Sequence, residues 1–176
     1  MITRRMAIAL VGIFAISVFQ ESRTLASVRL MSLSEFVQDA DFIGVVHVER
    51  VSGGMPFLKR RRATATVLES WKGQASGTVA FRAAPTWICD ISDAKKDEET
   101  IVFIRSGELM LAGRGRMPIF TREGRRLAAV WPEVRLPPGV LTEAGSEPQY
   151  DFIRGVNVET LRAEVATLMA SVAEAR

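Results

Sequence analysis

The sequence predicts a mainly β protein with flanking helices, organised as a small antiparallel barrel. Between about residues 42 and 131 it carries a succession of short segments rich in β-branched residues or alternating in polarity. Turns containing Gly separate these segments, and a helical pattern stands at each end of the series. Short strands in such a series are typical of small barrels, in which closure of the sheet removes exposed edges.

The first predicted element of the domain is a short helix. Ser32 and Glu35 form the pattern of a capping box, in which the Ser32 side chain accepts from a backbone N–H and Glu35 reaches back. Leu33, Phe36 and Val37 then share one face of a helix about two turns long.

The strands follow. Segment 78–82 alternates, with Val79 and Phe81 expected to point inward. Segment 100–104 is apolar on both faces, as in a central strand buried on both sides. Gly124 lies in the turn expected between the last two strands. The predicted strands span residues 42–51, 62–71, 78–82, 100–104, 109–111, 118–120 and 127–131.

The chain ends in an amphipathic helix over about residues 157–173. Its residues Leu161, Val165, Leu168 and Val172 form one apolar stripe, which we expect to pack on the barrel. Asn157 is the expected N-cap. Prolines make the preceding segment, 132–148, irregular.

Three sequence segments resemble those of a known family. Residues 40–46 (ADFIGVV) are similar to the opening of netrin-like domains, whose fold is shared with tissue inhibitors of metalloproteinases. Residues 67–73 (VLESWKG), and Cys89 with 99–104 (ETIVFI), resemble segments of the bacterial secreted members. The resemblance covers about residues 40–112 and implies an OB-type five-stranded antiparallel barrel.

The departures from that family bear on function. Its inhibitory members chelate zinc through a cysteine at the mature N-terminus, whereas residues 27–88 contain no Cys. Cys89 is the only cysteine, so an intrachain disulfide is impossible. The resemblance therefore does not imply an inhibitory role for any residue of this chain, because a shared fold does not determine function.

Residues 1–26 have the layout of a secretory signal peptide. Arg4 and Arg5 precede an apolar run of 14 residues, 6–19, and the segment ends at Ala26. A membrane-spanning helix needs about 20 apolar residues, although an uncleaved anchor is the alternative. The remainder, 27–176, is predicted to be one exported domain, periplasmic or secreted. It carries 20 basic and 19 acidic residues, and export together with this balance argues against nucleic acid as a partner.

The candidate ligand-binding residues lie in two loops: Lys59, Arg60, Arg61 and Arg62 in the first, and Trp87 and Cys89 in the second. The first corresponds to the L12 loop of an OB barrel, which often frames a ligand; the alternative is a solvated loop. The second is either a binding edge or a plug at one end of the barrel. A further basic group could form an anion-binding patch, and it comprises Arg114, Arg116, Arg122, Arg125 and Arg126.

The lone histidine, His47, supports no definite chemistry. Alternation places it on one face with Ile43, Val45 and Val51. With Cys89 and either Asp90 or Asp93 it could hold a metal, but zinc sites need three or four ligands and nothing in the spacing requires one. The mixed charges of residues 95–99 indicate a solvated turn. We predict no metal and no cofactor.

These patterns favour an exported, non-catalytic binding protein of the cell envelope. The expected partner is an envelope or extracellular protein, a peptide, a saccharide or an anionic surface. One alternative is a cysteine-dependent enzyme that uses Cys89 and His47, because a thiolate needs a nearby base. The other is a structural component of the envelope.

The predicted cleavage can be tested on the exported protein. We expect its mass to match a chain that begins at Ser27, because Thr24 and Ala26 supply small residues at the cleavage site. Intact mass spectrometry provides the measurement, and an exported chain that retains residues 1–26 would contradict the prediction.

Overall fold

The protein is described by a computed structural model that covers residues 30–53, 61–74, 77–83, 93–143 and 153–174. The strands are β1 (Met31–Ser32), β2 (Phe42–Ser52), β3 (Arg62–Lys72), β4 (Thr78–Arg82), β5 (Glu99–Arg105), β6 (Glu108–Leu109), β7 (Arg116–Arg122), β8 (Arg125–Val130), β9 (Val134–Arg135) and β10 (Arg154–Asn157). The helices are α1 (Leu33–Asp39) and α2 (Val158–Glu174), with a 3-10 turn at Leu111–Gly113.

The main sheet is antiparallel, as predicted. Its strands run in the order β10-β8-β7-β5-β2-β3-β4, and β6 pairs with the end of β5. β1 and β9 form a separate parallel pair. Among the residues described, no pairing joins the outer strands β4 and β10, so the closure expected for a barrel is not found.

The sheet separates two apolar cores. The helix-side core packs α1 and α2 against β2, β5, β7, β8 and β10. The strand-side core lies on the other face and contains Phe42, Val46, Val48, Ala63, Ala65, Phe81, Ala83, Ala94, Val102 and Ile104. β5 serves both cores, with Ile101 and Phe103 on the helix side and Val102 and Ile104 on the strand side. The predicted burial of this strand on both faces is therefore confirmed.

The capping box of α1 forms as predicted. The Ser32 Oγ accepts from the Glu35 backbone N–H at 3.1 Å, and the Glu35 carboxylate accepts from the Ser32 backbone N–H at 2.7 Å. At the other end, the Lys72 ammonium donates to the Val37 carbonyl at 2.6 Å. A cation at the carboxyl end of a helix satisfies carbonyls that have no partner within the helix. Phe36 of α1 meets Phe103 of β5 edge to face, with ring centroids 5.3 Å apart.

The C-terminal helix also begins where the sequence indicates. The Asn157 side chain accepts from the backbone N–H groups of Glu159 and Thr160, at 3.0 and 3.1 Å. Leu161 and Val165 are buried in the helix-side core, and Leu168 packs against it. Within the described ranges, no helix is both long and apolar enough to cross a membrane.

Two tight turns connect the hairpins of the sheet. Ser106 and Gly107 join β5 to β6, and Glu123 and Gly124 join β7 to β8. All four residues have positive φ, which suits the right-handed twist of the strands that flank a two-residue loop.

Local expectations were wrong at three places. The predicted strand 109–111 ends at Leu109, because Leu111 has a φ of 48° and begins the 3-10 turn. The described part of segment 132–148 is irregular as predicted, except for the two-residue strand β9 and an isolated bridge at Glu143, and residues 144–148 lie outside the described chain. β10 was not predicted, although all four of its residues pair with β8.

A shift in register explains a fourth difference. Three irregularities interrupt the β2–β3 pairing, and the one between Val48 and Arg50 leaves Glu49 as an extra residue. A bulge reverses the alternation of side chains beyond it. Val51 therefore packs against the strand-side core, whereas Ile43 and Val45 lie in the helix-side core, so the predicted common face is wrong.

The close approach of β2 and β3 can be tested at Gly44. A Cβ at this position would lie 2.2 Å from the Glu69 carbonyl oxygen, a backbone atom that cannot move away freely. We expect Gly44→Ala to lower the free energy of unfolding by about 3 kcal/mol, measured by urea denaturation.

Gly107→Ala is the control for that substitution. Gly107 has a φ of 76° and open space around it, so the change costs only backbone strain of about 1 kcal/mol. An equal loss for the two variants would show that β2 and β3 are not closely packed at Gly44.

Candidate binding cleft

An open cleft of about 640 Å³ lies at one end of β2, among the described residues. Three chain segments form it: the end of β2, the residue before β3 and the segment that leads into β5. Its lining residues are Glu49, Arg50, Val51, Arg61, Asp93, Ala94, Lys95 and Lys96.

The bulge in β2 lies at the cleft, and Glu49, Arg50 and Val51 all contribute to its lining. With Glu49 as an extra residue, Arg50 pairs with Thr64 instead of continuing the register from Val48. The Glu49 carboxylate is held by the Thr66 hydroxyl, which donates to it at 2.9 Å. Arg50 remains exposed.

Backbone hydrogen bonds anchor the segment before β5. The Ala94 N–H donates to the Ala83 carbonyl at 2.9 Å, and the Ala83 N–H donates to the Arg61 carbonyl at 2.8 Å. Further along, the Asp97 N–H donates to the Val48 carbonyl at 2.8 Å. Ala94 is also buried in the strand-side core. The segment that precedes β5 is therefore fixed against the sheet by both packing and hydrogen bonds.

Cations exceed anions in the lining. Arg61 Nη1 donates to Asp93 Oδ2 at 2.8 Å, and Lys96 lies 3.8 Å from the Asp97 carboxylate outside the cleft. Within the described part of the chain, Arg50 and Lys95 have no carboxylate partner. The cleft is therefore suited to electrostatic binding of an anionic group.

The predicted site residues are distributed unevenly. Arg61 lines the cleft, but Arg62 does not, because its guanidinium donates to the Ala80 carbonyl at 3.3 Å and to Glu108 at 3.5 Å. Four predicted residues lie outside the described chain, namely Lys59, Arg60, Trp87 and Cys89.

Arg50 and Lys95 line the cleft but are not among the predicted site residues. Lys95 belongs to the segment that was interpreted as a solvated turn. That interpretation is wrong for Glu98, whose side chain is 12% exposed and forms an ion pair with the buried Arg116. The adjacent basic and acidic residues at 95–99 did not identify this ion pair, because its other member, Arg116, lies 18 residues after Glu98 in the chain.

Four of the five arginines of the second predicted basic patch are buried or paired with carboxylates. Arg116 is buried, and Arg114, Arg125 and Arg126 have carboxylate partners. These pairs are Arg114 with Glu133, Arg125 with Glu143, and Arg126 with Glu99 and Glu69. Arg114 also stacks over the Trp131 ring at 4.6 Å. Acidic neighbours therefore offset the charge that the sequence suggested would attract an anionic surface.

His47 lies half-buried on β2, with its Nε2 atom 3.9 Å from an Asp97 carboxylate oxygen. Of the residues that the structure covers, no three His, Cys, Asp or Glu side chains form a group that could hold a metal ion. Asp93, one possible ligand, pairs with Arg61 instead. The other two, Cys89 and Asp90, lie outside the described residues.

Comparison of the chain with protein-family models, with curated proteins and with solved structures finds no match.

The two ion pairs near the cleft should contribute differently to stability. Glu98→Gln removes the carboxylate that pairs with the buried Arg116 guanidinium, and we expect a loss of about 3 kcal/mol in the free energy of unfolding. Asp93→Asn breaks a pair whose side chains are 28% and 42% exposed, so we expect a loss below about 1 kcal/mol. Urea denaturation compares the variants, and equal losses would contradict the distinction.

Proposed function

We propose that this protein is an exported, non-catalytic binding protein of the cell envelope that holds an acidic segment of another protein in its cleft. The observation that carries the proposal is the presence of two exposed cations, Arg50 and Lys95, in a concave lining without carboxylate partners among the described residues. Opposite charge on a partner would favour encounter and orient the bound segment.

The form of the cleft favours a protein segment over a lipid surface. A flat membrane cannot enter a concavity, and the lining mixes four cationic side chains with the carboxylates of Glu49 and Asp93. Such a mixture suits a polypeptide, which can present both carboxylates and amide donors. The described lining contains no aromatic ring on which a sugar could stack.

The proposed place of action depends on the N-terminal sequence. Residues 1–26 lie outside the described chain, so export is inferred from their basic start, short apolar run and small exit residue. A partner would then be an envelope or extracellular protein.

The proposed fold of the strand-side core is an OB-type barrel, as the netrin-like resemblance implies. The three register shifts between β2 and β3 support it, because bulges bend and coil strands. Glu108 of β6 lies within 3.9 Å of Arg82 on β4 and 3.5 Å of Arg62 on β3, so the sheet curls until these elements approach each other. Small residues such as Ala63 and Ala65 suit the tight interior of such a curl.

The binding proposal can be tested with a fluorescein-labelled hexaglutamate peptide by fluorescence anisotropy. We expect Arg50→Glu and Lys95→Glu each to weaken binding about tenfold, since each replaces an attractive charge in the cleft with a repulsive one. Arg135→Glu is the matched control, because this exposed residue of β9 contributes nothing to the cleft lining, and we expect less than about a twofold change.

Salt and lipid provide the further controls. Binding of the peptide should weaken steeply between about 0.01 M and about 1 M salt, as the screening length falls from about 30 to about 3 Å. Equal effects of the cleft and control substitutions would reject the proposal. Tighter binding to vesicles containing phosphatidylserine, weakened by the same cleft substitutions, would replace the acidic segment with a membrane surface.

A further inference from the structure

One cation of the cleft already has a carboxylate partner of its own. Arg61 Nη1 and Asp93 Oδ2 are 2.8 Å apart, and both side chains belong to the lining. The pair is partly exposed, with 28% of the Arg61 side chain and 42% of the Asp93 side chain accessible. A carboxylate of the protein thus lies where an anionic ligand would meet Arg61.

The backbones on both sides of this pair are held independently of it. Arg61 is anchored by its carbonyl, which accepts from the Ala83 N–H, and Asp93 is followed by the buried and hydrogen-bonded Ala94. The two side chains can therefore separate while these backbone contacts remain. Ion pairs this exposed contribute little to stability, so the exchange of one carboxylate for another costs little.

From this arrangement we propose that Asp93 is a built-in competitor that occupies the position of a ligand carboxylate. When the acidic segment binds, one of its carboxylates replaces Asp93 on Arg61, while Arg50 and Lys95 bind its other acidic groups. This inference rests on the proposed function of the cleft. It identifies Arg61 as the carboxylate-binding residue and Asp93 as the residue that lowers affinity.

Asp93→Asn tests the inference directly. The substitution removes the competing charge and leaves Arg61 available, so we expect the labelled hexaglutamate peptide to bind up to about fivefold more tightly. Affinity is measured by fluorescence anisotropy on the otherwise complete chain. A pair with only a structural role would give no gain in affinity beyond that from reduced repulsion when it is broken.

Glu49→Gln is the matched control. It removes the same unit of negative charge from the same lining, but its hydrogen-bond partner is the Thr66 hydroxyl, so no cation is released. We expect a gain below about twofold from reduced repulsion alone. In an Arg61→Ala background, the gain from Asp93→Asn should fall to that of Glu49→Gln, which isolates the coupling between Arg61 and Asp93.

The outcomes separate this inference from the proposal on which it rests. If the wild-type chain binds the peptide but Asp93→Asn gains no more than Glu49→Gln, the competitor role is wrong and the binding function stands. If the gain persists in the Arg61→Ala background, Asp93 acts by general repulsion and the exchange is rejected. If neither the wild type nor any variant binds the peptide, both proposals fail.

Discussion

The burial of β2 and β5 on both faces is the constraint on which the rest of the structure depends. Over residues 42–46 of β2 and 101–104 of β5, alternate side chains enter two separate cores, so these parts of the strands present no polar face to water. β3 must also lie so close to β2 that a side chain at Gly44 would overlap the Glu69 carbonyl. The helices can then cover one face while the outer strands curl around the other.

The cleft lies beside the bulge in β2. A strand that followed strict alternation would place Val51 on the same face as Val45, whereas the extra residue Glu49 turns Val51 toward the strand-side core. Arg50 follows this extra residue and lines the cleft together with the segment that leads into β5. That segment is held at the sheet by the buried Ala94, so the charged side chains on either side of it converge without a deep pocket.

The sequence predicted what short-range chemistry determines. The capping box at Ser32 and the N-cap at Asn157 depend on contacts within a few residues, and both form as expected. The bulge at Glu49 depends on how β2 fits β3, and the burial of Glu98 depends on Arg116, which follows it by 18 residues. Such long-range pairings carry no local signal. Of the cleft residues, only Arg61 was therefore predicted to bind a ligand, and Arg50 and Lys95 were not.

We propose that an acidic segment binds where β2 ends and β3 begins. The most direct test is a titration of the ¹⁵N-labelled protein with unlabelled hexaglutamate peptide, followed by heteronuclear NMR. We expect the largest saturable shifts on the amides of Arg50, Val51, Arg61 and residues 93–96, while those of α2 stay unchanged. Shifts concentrated on α2 or β9, or no saturable shift anywhere, would contradict this proposal.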